Sequence, residues 1–135
     1  MIRDSLLPAL RNRFPDMGFT FSEPPHAIAS LPAKYPKLGR LEIYDDGHEA
    51  TVCITEITHG HFSSYDDHLT VKGREEAIAG DVTEFLEALF ADRVLLYRTP
   101  SRSMGGWTRL DISSEPPVKG REYFLWSHPF ISFPN

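Results

Sequence analysis

Apolar side chains at Ile2, Leu6, Leu7, Leu10 and Phe14 recur at helical spacing, which predicts a short amphipathic first helix. Asp4 or Ser5 is placed to cap its start. Pro8 is tolerable in a first turn, and Pro15 helps to end the helix. Phe19 and Phe21 alternate with Gly18 and Thr20, as in a short strand. Pro24, Pro25, Pro32 and Pro36 then punctuate a stretch unsuited to a helix or a central strand, with Ala27 to Leu31 suited to one edge pairing.

A hairpin follows. Leu41 and Ile43 alternate on one arm, Asp45-Asp46-Gly47 turns, and the β-branched run Thr51 to Thr58 returns as the other arm. The clearest helix covers Arg74 to Ala91, with Ile78, Val82, Phe85, Leu86, Leu89 and Phe90 on one stripe. Gly80 in its interior suggests close packing on a sheet. Val94 to Tyr97, Trp107 to Ile112 and Tyr123 to Trp126 read as three more strands. The expected fold is a single α+β domain over residues 1–135, a mostly antiparallel sheet with two helices packed on one face. Ser-Glu-Pro-Pro occurs at Ser22 to Pro25 and at Ser114 to Pro117, but the flanks differ. The repeat is therefore read as shared strand-ending chemistry and not as duplication.

Composition narrows the classes. With 135 residues and 41% hydrophobic content, the chain is long enough for a core without metal or disulfide staples. A formal charge of −5 disfavours non-specific attraction to nucleic acid. The single cysteine, Cys53, excludes an internal disulfide and a multi-thiolate zinc site, and its neighbours suggest a buried strand residue. No signal peptide is visible and no stretch approaches the roughly 18 apolar residues of a membrane span. A cytoplasmic address and no membrane partner are expected.

The densest chemistry is Thr58-His59-Gly60-His61-Phe62-Ser63-Ser64-Tyr65-Asp66-Asp67-His68, which holds three of the six histidines. In an extended segment, His59 and His61 share a face, and Gly60 opens the backbone to a ligand. A turn at Ser63-Ser64 would bring Asp67 and His68 beside them. That set, His59, His61, Asp67 and His68, suits zinc or another divalent metal with an open position for water. The bland alternative is a solvated connection from sheet to helix. The letters resemble the metallo-β-lactamase signature His-x-His-x-Asp-His, with His59 and His61 in its first half and Asp67-His68 in its second. Four additional residues separate the halves, and only His128 lies downstream, so no role is carried over.

A second candidate is the basic loop Arg98 to Trp107, with two arginines, three hydroxyls and the Gly105-Gly106 pair. Arg98 and Arg102 suit a carboxylate or phosphate, and Trp107 a stacking or interface role. The bland reading pairs these arginines with the acidic helix and puts Trp107 in the core. His26 and His48 fall in predicted turns. The aromatic tail from Tyr123 is read as completing the sheet, with Phe130 to Phe133 as a docking element if it protrudes.

The leading expectation is a non-enzymatic cytoplasmic protein that binds another protein, with self-association possible and no cofactor. In size, charge and element order the chain is similar to type III secretion chaperones, a likeness that brings no residue roles. The alternatives are a small metal-dependent hydrolase built on the histidine cluster, with zinc as cofactor, and an anion-binding regulatory domain built on Arg98 and Arg102.

Overall fold

A computed structural model describes residues 1–100, 104–112 and 118–130. The fold is α+β, with two helices and two antiparallel sheets. Helix α1 (Ile2–Arg13) is followed by strands β1 (Thr20–Phe21), β2 (Ala29–Pro32), β3 (Arg40–Asp45), β4 (Glu49–Ile54) and β5 (Thr58–Ser63). These five pair in sequence order as one antiparallel sheet. Helix α2 (Val71–Phe90) then leads to β6 (Val94–Thr99), β7 (Met104–Arg109) and β8 (Glu122–Phe124), which form a second sheet in the order β7-β6-β8.

One face of the five-stranded sheet is apolar because its residues alternate. Leu41, Ile43, Ala50, Val52 and Ile54 are buried, and they share one core with Ile2, Leu6 and Leu10 of α1 and with Ile78, Val82 and Leu86 of α2. Each such side chain taken from water is worth about 1.5–3 kcal/mol, so this layer dominates the driving force. Thr70 caps α2, its hydroxyl accepting from the Gly73 N–H at 3.0 Å. The second sheet adds Val94, Leu96 and Phe124 to the same core.

Several expectations are corrected. Pro8 lies inside α1, not in its first turn, because the helix already begins at Ile2. Strand β2 pairs on both sides, with β1 and β3, instead of forming one edge pairing. Its Pro32 is tolerated because β1 reaches only Ala29 and Ser30, leaving no ladder partner on that side. The run Thr51 to Thr58 is not one arm. It breaks after Ile54, and the histidines lie on a strand of their own. Gly80 is exposed and a Cβ there would meet nothing within 4 Å, so it marks no close packing. The Gly105-Gly106 pair sits in β7 and not in a loop. A Cβ at 105 would fall 1.9 Å from the Ile57 carbonyl, and one at 106 would fall 2.4 Å from the Tyr97 hydroxyl. The second Ser-Glu-Pro-Pro, Arg102 and Ile131 to Phe133 lie outside the described residues. Among the described residues no helix is long and apolar enough to cross a membrane.

Candidate functional site

Helices cover the apolar face of the five-stranded sheet, and the opposite face is polar. Cross-strand register aligns Thr20, Ser30, Glu42, Cys53 and His59 in one row across all five strands. A neighbouring row joins Tyr44, Thr51 and His61. These side chains are half-buried to exposed, in contrast to the fully buried residues that alternate with them. Lysine is absent from this face in all five strands.

His59 and His61 share this face, as their spacing requires, with ring centroids 5.2 Å apart in an edge-to-face arrangement. The carboxylates beside His61 come from the β3–β4 hairpin. Glu49 Oε1 lies 3.2 Å from His61 Nδ1. The Thr51 hydroxyl lies 3.0 Å from the same nitrogen and also hydrogen-bonds Asp46. Asp46, Glu49 and His61 hold their ligand atoms within 4.8 Å of one another.

The expected quartet is therefore not assembled. No three of His59, His61, Asp67 and His68 bring ligand atoms that close. Asp67 and His68 are exposed in the connection to α2, where the Asp66 carboxylate accepts from the His68 N–H at 2.9 Å. That turn serves the chain reversal. Gly60 opens nothing to a ligand. A Cβ there would lie 2.3 Å from the Trp107 ring, which occupies that space on the apolar side.

Trp107 is packed between sheet and helix. Its ring centroid lies 4.5 Å from that of Phe85 and 6.4 Å from that of Phe62. Arg98 donates to Glu122 at 2.8 Å and to the Glu56 carbonyl at 3.4 Å, and its Nε has no partner among the described residues. The hydrogen bond from Arg98 holds the Glu122 carboxyl below its ordinary range. Arg109 acts likewise on Asp111, and also donates to Glu84 of α2 at 3.3 Å. Arg98 and Arg109 are thus each paired with neighbouring carboxylates.

Cys53 stands on the polar face beside Glu42 and His59, half-buried instead of in the core. Burial, with a smaller contribution from Glu42, pushes its thiol pKa up, so neutral thiol dominates near neutral pH. The same causes raise Tyr44. A groove of about 660 Å³ runs from Cys53 and His59 to Arg98 and Gly105, between the β4–β5 turn and β6–β7. His26 and His48 are exposed, as predicted. His128 is exposed and contacts Ser127 at 2.7 Å.

The Asp46 and Glu49 contribution escaped the sequence reading. Its visible signal was the turn Asp45-Asp46-Gly47, which leads into the arm that pairs with His61. Comparison with known proteins adds no further constraint: no protein-family model, curated protein or solved structure matches this chain.

Proposed function

We propose that this chain is a non-enzymatic protein-binding module, and that its contact surface is the polar face of the five-stranded sheet. One observation carries the reading. That face presents Tyr44, Cys53, His59 and His61 together with short hydroxyl residues, alongside Arg40, Glu42 and Glu49 and no lysine. Protein interfaces are enriched in aromatic residues and depleted of lysine. Short and aromatic side chains also lose little conformational entropy when covered.

Exposed Tyr65, in the connection that follows β5, supplies apolar area of the kind partners bury. A cytoplasmic address is part of the proposal, in keeping with the low cysteine content. The partner is another protein or a second copy of this chain. Incorporation of a photo-crosslinking residue at Tyr44 in living cells tests the proposal. A discrete protein adduct is expected from position 44, and equal labelling from a helical position such as Lys72 would contradict it.

A further inference from the structure

The geometry points to a divalent transition-metal site of the zinc type at the end of the β3–β4 hairpin, formed by Asp46, Glu49 and His61. It is independent of the protein-contact proposal, because either can fail without the other.

Three features carry it. The donors are two carboxylates and an imidazole, a set suited to zinc-like ions and ill suited to calcium or magnesium, which prefer oxygen alone. Their ligand atoms already lie within 4.8 Å of one another. Bonds of about 2.0–2.2 Å would place them roughly 3.5 Å apart, an adjustment of about an ångström or less that rotation of the side chains can supply.

The backbones behind the donors are also fixed. Thr51 pairs with His61 and Glu49 with Ser63 in the ladder. The turn is closed by the Asp46 N–H donating to the Glu49 carbonyl at 2.9 Å, and by the Gly47 N–H donating to Asp45 at 2.9 Å. Gly47 takes the positive φ of 90° that this turn needs.

Finally, the Thr51 hydroxyl donates to Asp46 and contacts His61 Nδ1 at 3.0 Å, so groups from the hairpin turn and from β5 are gathered around one side chain. With a cation bound, Thr51 would keep its bond to Asp46 and steady that carboxylate. His59, edge-on to His61, limits the ring's rotation. Solvent completes the coordination, since Asp46 and His61 are exposed.

The competing explanation is a plain surface ion pair between His61 and Glu49, which needs no metal and gives Asp46 no role. Titration of the tag-free full chain with zinc chloride, and separately with cobalt chloride, decides between them. The expected result is one saturable ion per chain and visible cobalt d–d absorption of a four- or five-coordinate site. His61→Gln and Glu49→Gln should each weaken zinc by at least about ten-fold, a loss already typical of removing an outer-shell partner. His68→Gln should leave binding unchanged. The melting temperature of each variant without metal shows that it is folded. If His61→Gln proves unstable, Asp46→Asn in the exposed turn makes the same test. No saturable binding, or equal binding by wild type and folded His61→Gln, overturns the proposal.

Discussion

Gly60 shows how one missing side chain sets the position of this face. A β carbon there would lie 2.3 Å from Cη2 of Trp107, so alanine must push the indole out of its contact with Phe85 and Phe62. Gly60→Ala should destabilise the fold by about 1–3 kcal/mol, the usual cost of overpacking, as measured by urea unfolding. An unchanged midpoint would mean that the ring has somewhere else to go. The sequence shows Gly60 between two histidines, and from that vantage a ligand opening is the natural reading. Only the fold brings Trp107, 47 positions later in the chain, onto the spot. Period two alone put His59 and His61 on one face, and that part survives intact. Their acidic neighbours were not legible, because they depend on where β4 ends.

That ending is an element-scale matter. Thr55, Glu56 and Ile57 carry no glycine or proline, so the run reads as continuous strand. The turn is closed by the Ile57 N–H donating to the Ile54 carbonyl at 2.9 Å, and its backbone is also held from elsewhere. The Thr55 N–H donates to the Arg40 carbonyl at 2.9 Å, and the Glu56 N–H to that of Leu38 at 3.2 Å. Long-range bonds of this kind leave no local signature. Helix α2 was legible because its periodicity is long, and it was found within three residues at its start and one at its end. Gly80 in its exposed interior should therefore follow helix propensity alone. Gly80→Ala is expected to stabilise the protein by about 0.5–1 kcal/mol, measured as a higher unfolding midpoint.

The elements are also tied by ion pairs. Arg13 of α1 grips Glu87 of α2 through two hydrogen bonds of 2.5 and 2.8 Å, and Arg98 of β6 holds Glu122 of β8. Hydrogen bonding to these arginines lowers the pKa of both glutamates. Below the ordinary glutamate value of about 4.3, the unfolded chain takes up protons that these folded carboxylates still refuse. Stability should therefore fall as the pH drops from that value through the depressed folded values. Thermal melts across this range should show a shallower fall in Arg98→Gln, and an identical slope would remove Glu122 from the account. The effect should be modest, since the Arg13–Glu87 pair is solvent-exposed and the Arg98–Glu122 pair only partly buried.

At the scale of the whole molecule, the fold divides its labour between the two faces of one sheet. The apolar face, with both helices and the second sheet, supplies the core, while the polar face carries rows of hydroxyl, thiol, phenol and imidazole groups. The α+β class was readable from element order, because the hairpin and α2 are strongly patterned. The split into two sheets was not, since nothing local distinguishes β6 to β8 from further strands of the first sheet. Arg98, which suggested an anion site, also changes meaning. Arg98 and Arg109 are matched to Glu122, Asp111 and Glu84, so the basic segment fastens the molecule to itself. This leaves the polar sheet face as the surface with the most chemistry to offer a partner. The most direct measurement places a photo-crosslinking amino acid at Tyr44, and separately at Lys72 on the exposed side of α2, and illuminates intact cells. The account predicts one adduct of defined mass from position 44, absent from position 72, with both proteins folded by their melting temperatures. No adduct from position 44, or the same set from both positions, would contradict it.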